Sequence, residues 1–215
     1  MGGAEQNFVK KAFEENWIAP IGPNINGFEN DICDFTSAKH CIALNSCTAA
    51  IHLALNILGT GPGDFVFVQS FTFCGSINPI LYTGATPIHI DSEQVTWNMC
   101  PAALRKALED FNQKGLIHRV KAIIPVHLYG MPARMDEISF LANEYGIPIM
   151  EDAAESIGSK IQGVNTGTFG VFGAYSFNGN KIITTSGGGA LVGKNKEHMD
   201  LALKLSTQAR EDAPF

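Results

Sequence analysis

An alternation of short apolar runs with segments of helical period constrains this chain more than any other feature. Ile42-Ala43-Leu44 precedes a helix expected from about Thr48 to Leu58, apolar nearly all round and stopped by Gly59. Phe65 to Val68 reads as a strand, a helix lies near Ser76 to Tyr82, and Pro87 to Ile90 is the next strand. Pro101 opens a helix whose Leu104, Ala107, Leu108 and Phe111 recur at i, i+3, i+4 and i+7. Ala122 to Val126 is a strand, and a helix with Ile138, Leu141, Ala142 and Tyr145 follows. Ile147 to Met150 is a strand running into Glu151-Asp152. Strands at Ala174 to Phe177 and Ala190 to Val192 precede a last helix around His198 to Ser206. Strand and helix alternating at this spacing imply an α/β protein with a mostly parallel sheet covered on both faces.

Composition narrows the class. The 215 residues are 45% apolar, which excludes disorder and suffices for one large core. Charged residues make up 17%, against about 25% in an average globular chain. Sparse charge implies that part of the surface is covered, by a partner subunit or a further domain. A net charge of −6 argues against a nucleic-acid footprint. The first residues lack a basic region followed by an apolar run, and Gln6 stands where a myristoylation signal needs Ser or Thr. No stretch reaches the roughly 18 apolar residues of a membrane span. Five cysteines, an odd number without C-x-x-C spacing, read as thiols in a reducing cytoplasm rather than as disulfides or a metal site.

Several motifs fail. The chain has no G-x-G-x-x-G, G-x-S-x-G or H-E-x-x-H. Gly188 to Lys194 approaches a phosphate-binding P-loop, but Asn195 occupies the Ser/Thr position and the segment reads as strand. His40, His52 and His89 read as satisfied polar or core residues.

Open parallel sheets bind ligands outside the carboxyl ends of their strands, so polar residues just after strands carry most weight. Four such features fit together. Asp152 follows a strand; alone it reads as a helix N-cap. Lys181 is the single charged residue between Lys160 and Lys194, in a loop of small and hydroxyl residues. Such a lysine is either a solvated surface group or one whose lowered pKa suits imine chemistry. Ser46-Cys47-Thr48 opens a helix directly after a strand, which is an ordinary N-cap or a phosphate cradle. Phe71 and Phe73 alternate after a strand and are core or a face for a flat ring. A phosphate cradle, a carboxylate, an aromatic face and an imine-forming lysine are the parts pyridoxal phosphate needs. The carboxylate would keep the pyridine nitrogen protonated, and the lysine would hold the cofactor and shuttle a proton.

At these residues the chain resembles the DegT/StrS-type nucleotide-sugar aminotransferases. The matching stretches are Asn16 to Pro20 with Gly22-Pro23, Ser46 to Leu55, Gln69 to Phe73, Glu151 to Ser156 and Ser176 to Gly189. The resemblance implies the large domain of a fold type I pyridoxal phosphate enzyme of the aspartate aminotransferase kind, three layers α/β/α around a mostly parallel seven-stranded sheet. It implies Lys181 as the catalytic Schiff-base lysine and Asp152 as the pyridinium partner. Cys47, Thr48 and Ser176 would hold the phosphate, Phe73 would stack on the ring, and Glu155 would lie on the cofactor's hydroxyl side. Asn178 and the loop of Trp17, Ile18, Ala19 and Pro20 would be near the substrate. That substrate would be a UDP-linked 4-keto-6-deoxy-N-acetylhexosamine, aminated with glutamate for surface polysaccharide or glycan synthesis. Family members are homodimers with active sites at the subunit interface.

Two departures stand out. Cys47 replaces the family's usual glycine. The chain stops at Phe215, where family members continue into a smaller C-terminal domain. Residues 1–215 are therefore expected to be the cofactor-binding large domain, with 1–30 forming an N-terminal helix and a substrate-side loop. Alone, such a piece is expected to turn over little substrate. Related sugar dehydratases carry histidine in place of the lysine, and a non-catalytic domain that kept the fold is the other alternative.

Overall fold

A computed structural model describes residues 2–17 and 19–211. Helices α1 (Glu5–Glu14) and α2 (Pro23–Thr36) lead into β1 (His40–Leu44), α3 (Cys47–Ile57), β2 (Phe65–Gln69), α4 (Asn78–Tyr82) and β3 (Thr86–Ile90). Then come α5 (Pro101–Gln113), β4 (Val120–Ile124), α6 (Met135–Tyr145) and β5 (Met150–Asp152). A hairpin of β6 (Lys160–Ile161) and β7 (Val164–Asn165) precedes β8 (Phe172–Ser176), β9 (Gly189–Gly193) and α7 (Lys196–Ser206).

Strands β3, β2 and β4 pair in parallel, and β5, β8, β9 and β1 form a second group in which only β9 runs antiparallel. The groups join where Ile123 bridges Ile149 and Val126 bridges Asp152, both in parallel. The Asp152 N–H donates to Pro125 O at 3.0 Å and the His127 N–H to Asp152 O at 3.1 Å. One mostly parallel sheet of order β3-β2-β4-β5-β8-β9-β1 results, as the alternation of patterns implies.

Side chains alternate across a strand, so each central strand feeds both faces. Val66 and Val68 of β2 pack with Ile51 and Leu55 of α3, while Phe67 between them packs with Leu104 and Leu108 of α5 and Ile138 of α6. The same alternation splits Ala122 and Ile124 from Ile123 in β4. Three layers follow from that division. The inner face of α3 is fully buried through Ala50, Ile51, Ala54 and Leu55, whereas Asn56 is exposed. Leu53 and Ile57 are only half-buried, so the apolar residues of α3 are not all turned inward.

Three local readings need correction. Residues 1–30 are not one helix and a loop: residues 23–30 already belong to α2. Pro23 sits at its first turn, where a missing N–H costs nothing. Phe28 of α2 meets Phe177 edge to face at 5.1 Å, which anchors that helix. The fifth strand starts at Met150 rather than Ile147, and Asp152 is its last residue rather than the one after it. Pro148 has no N–H for a ladder bond. The β6–β7 hairpin turns at Gln162 and Gly163, both with positive φ (50° and 85°), a two-residue turn suited to strand twist.

Candidate active site

The carboxyl ends of β1, β2, β5 and β8 open onto a cleft of about 590 Å³. Cys47, Thr48, Phe73, Asp152, Glu155 and Ser176 line it, together with Asn178 and Lys181. Trp17, Ala19 and Pro20 do not line it; the Trp17 ring covers Gly22 instead, so close that a Cβ there would collide. Ile18 lies outside the described residues.

The floor is the start of α3. Ser46 is its N-cap, accepting from the Ala49 N–H at 3.1 Å. The Cys47 and Thr48 N–H groups find no acceptor among the described residues and remain free at the positive end of the helix dipole. Gly189, the first residue of β9, runs so close beneath that any Cβ would strike the Ser46 and Cys47 backbone. Ser176 ends β8 beside this helix end and is nearly buried. Gly75 leaves room for the Phe73 ring, since a Cβ there would come within 3.0 Å of it.

Asp152 is 5% exposed. Its Oδ2 accepts from the Ser76 hydroxyl at 2.5 Å and its Oδ1 from the Ala154 N–H at 3.0 Å. Burial pushes its carboxyl above the ordinary carboxylate range, while these bonds and the nearby His127 and Lys181 pull it back. The Cys47 thiol lies 3.9 Å from Oδ1, and burial together with the Asp152 charge holds it well above the usual thiol value. It stays protonated. A buried carboxylate raised by desolvation gains most from a cationic partner placed in the cleft.

Lys181 sits in the loop after β8. Its Nζ pairs with Glu155 Oε1 at 3.0 Å, and Glu155 Oε2 accepts from the Tyr129 N–H at 2.8 Å. The lysine side chain is 14% exposed, so it is not the solvated surface group a small-residue loop would allow.

Ser76, His127 and Tyr129 did not stand out in the sequence. His127 directly follows a predicted strand, so the rule about polar residues at strand ends would have found it. Nothing local marks Ser76. Glu151, fully buried beneath Asp152, accepts from the Gly167 and Gly170 N–H groups, both at 2.7 Å, and pairs with His127 Nε2 at 3.0 Å. Gln69 is also structural: its Oε1 accepts from the Met99 N–H at 2.7 Å and its Nε2 donates to Phe71 O at 2.9 Å. Among the described residues no group of three or more His, Cys, Asp or Glu is placed to hold a metal ion.

The chain is similar in sequence and fold to known proteins. EpsN of Bacillus subtilis (strain 168), provisionally described as a pyridoxal phosphate-dependent aminotransferase, is 53% identical over 213 residues, 99% of this chain and 54% of its own. The GDP-perosamine synthase of Caulobacter vibrioides is 39% identical over 205 residues, 95% of this chain and 52% of its own. The chain thus spans about half the length of the curated relatives it matches. A crystal structure of a DegT DnrJ EryC1 StrS aminotransferase from Brucella abortus superposes with a TM-score of 0.88 at 32% identity, covering 99% of this chain and 59% of that one. Residues 1–214 match the DegT/DnrJ/EryC1/StrS aminotransferase family, and the chain belongs to it.

Proposed function

We propose that the complete protein is a pyridoxal phosphate-dependent aminotransferase that installs an amino group on a nucleotide-linked 4-keto-6-deoxy sugar, with glutamate as donor. The observation that carries this reading is Lys181, a sheltered amine in the same cleft as the buried Asp152 carboxylate and the free N-terminus of α3. The donor set fits the cofactor. A phosphate needs N–H and hydroxyl donors, which Cys47, Thr48 and Ser176 offer; a pyridinium needs a carboxylate, which Asp152 offers. When bound, the cofactor supplies an electron sink for a carbanion at the amino donor's carbon.

The residues of this chain do the rest. Asp152 would hold the proton on the ring nitrogen, and Phe73 would cover a ring face. Lys181 Nζ receives the proton that the donor's Cα loses and delivers it again on the return half-reaction. Glu155 lies next to the lysine and would face the cofactor's hydroxyl side. Asn178 would face the substrate; Trp17, Ala19 and Pro20 would reach it through the partner subunit of a homodimer or through a rearrangement. Exposed Phe71, Phe73 and Tyr129 give the cleft an apolar rim that supports such a partner. No described helix is long and apolar enough to cross a membrane, and the cysteines are free, in keeping with a cytoplasmic enzyme of polysaccharide synthesis.

UDP is the proposed nucleotide, on the strength of the sequence resemblance; the kinship to a GDP-perosamine synthase makes GDP the first competitor. The dehydratase alternative is disfavoured by Lys181. The test is to add pyridoxal phosphate to the complete protein, reduce with borohydride and map the adduct, then assay glutamate with UDP-, GDP- and dTDP-linked 4-keto sugars. An adduct on Lys181 and amination of the UDP sugar are expected. A folded protein with no adduct there is a non-catalytic domain.

A further inference from the structure

We propose that Glu155 is the proton acceptor that converts Lys181 from an ammonium into a nucleophile, so that the pair captures an aldehyde at neutral pH faster than the lysine could alone. The inference rests on the reading of Lys181 as the imine-forming residue and assigns Glu155 a task beyond contact with a bound ring. Its ground is the geometry of the ligand-free cleft. Nζ lies 3.0 Å from Oε1, with the two side chains 14% and 29% exposed. The other oxygen, Oε2, is fixed by the Tyr129 N–H at 2.8 Å. Tyr129 aims that N–H from a left-handed backbone (φ 52°), a conformation uncommon outside glycine. One oxygen is therefore anchored and the other is turned onto Nζ.

The other groups near Nζ make no hydrogen bond to it. The titratable side chains near the pair are Asp152 from β5 and Cys47 from α3, with His127 behind Asp152; Tyr129, in the turn after β4, meets Glu155 through its backbone N–H while its side chain is exposed. Cys47 keeps its proton. Asp152 accepts from Ser76 and Ala154, and the hydrogen bond that Nζ makes is to Glu155. Among the described residues Lys181 is the one cationic side chain lining the cleft, and Glu155 is its one hydrogen-bond acceptor.

The step balances without any further reagent. Nζ passes one proton to Oε1, and its lone pair forms a bond to the carbonyl carbon. The carbonyl oxygen leaves as water, carrying the proton from Oε1 and a second from Nζ. Nitrogen retains one proton and a C=N double bond, and Glu155 ends as the carboxylate it was at the start.

The experiment follows capture of pyridoxal phosphate by stopped-flow absorbance between pH 6 and 9, as roughly set by the intrinsic carboxylate and lysine ranges. Wild type, Glu155→Gln and Glu155→Asp are compared in the complete protein, with borohydride trapping and peptide mapping at the end point. At neutral pH, E155Q is expected to capture about 100-fold more slowly, within the scale of general acid–base assistance. Its rate should climb about tenfold per pH unit as hydroxide replaces the carboxylate, while wild type stays nearly flat; E155D should recover part of the rate. A merely electrostatic role predicts the opposite sign, because an ammonium deprived of its anion gives up its proton more readily. Capture by E155Q as fast as wild type or faster overturns the proposal, and so does slow capture with an unchanged pH profile. Mapping separates the two levels: an adduct at Lys181 in all three proteins leaves the aminotransferase reading standing whatever the rates. Absence of the adduct in wild type overturns that reading, and this proposal with it.

Discussion

Glu151→Gln exchanges one carboxylate oxygen for an NH2 group, at nearly constant volume, in a fully buried position. Three donors converge on Glu151. Gly167 N–H and His127 Nε2 reach Oε2 at 2.7 and 3.0 Å, and Gly170 N–H reaches Oε1 at 2.7 Å. His127 Nδ1 accepts from the Ala133 N–H at 3.0 Å, which places the ring proton on Nε2 and makes it a donor too. A glutamine can keep its oxygen toward Gly167 and His127, but its NH2 then confronts the Gly170 N–H. The flipped amide is worse, since two donors face it. A hydrogen bond to a charged group contributes about 1.5–3 kcal/mol, and a buried N–H left unmet costs about 1–3 kcal/mol. These costs overlap, so a destabilisation of about 3 kcal/mol is expected. In a protein of this size that lowers Tm by about 6–12 °C. Urea unfolding should show a lower midpoint with an unchanged m value, and calorimetry should show the Tm shift. A fall of less than about 2 °C would refute the reasoning, because it would mean that the Gly167–Gly170 loop does not depend on this carboxylate.

Three further outcomes follow from the same geometry. Asp152→Asn should cut transamination by at least about 100-fold, as loss of a fixed active-site charge does, yet stabilise the ligand-free protein. Burial raises the Asp152 pKa above its ordinary value of 3.8, so its contribution to stability is full below that value and is lost as pH rises through the folded-state pKa; the variant's advantage in Tm should therefore grow from acid to neutral pH. Lys181→Ala should abolish the borohydride-trapped adduct while shifting Tm by no more than about 4 °C, because one partly exposed ion pair contributes about 1 kcal/mol. Gly189→Ala should lower Tm by several degrees and weaken retention of pyridoxal phosphate in equilibrium dialysis, since the new methyl would push the start of α3 off β9; a normal Tm with normal retention would show that the helix end is free to move.

The fold was readable because its signals are local. The apolar run Phe65 to Val68 and the helical spacing of Leu104, Leu108 and Phe111 are properties of a few consecutive residues, and the structure keeps both. Asp152 and Lys181 were readable for a related reason: each stands near the carboxyl end of a strand, where an open sheet binds ligands. Residues such as Ser76 were not readable, because a lone serine acquires meaning only when folding brings it to a carboxylate 76 positions away. Glu155 was placed by resemblance beside a cofactor; its bond to Lys181, 26 positions on, and to the Tyr129 N–H, 26 positions back, appears only in three dimensions. Trp17, Ala19 and Pro20, although part of the same sequence resemblance, do not come to the cleft.

By itself, the sequence determined the layered α/β architecture, the order of its elements and the lysine, carboxylate and helix start that line the cleft, because each is encoded in period, spacing and position along the chain. Tertiary structure alone decided which groups meet: Ser76 on Asp152, Glu155 on Lys181, and Glu151 between His127 and the glycine amides. Hydrogen bonds and desolvation act over a few ångströms of space and are blind to separation along the chain. The raised pKa of Asp152 and the pairing of Lys181 with Glu155 are therefore properties of the packed sheet, not of the segments that carry them.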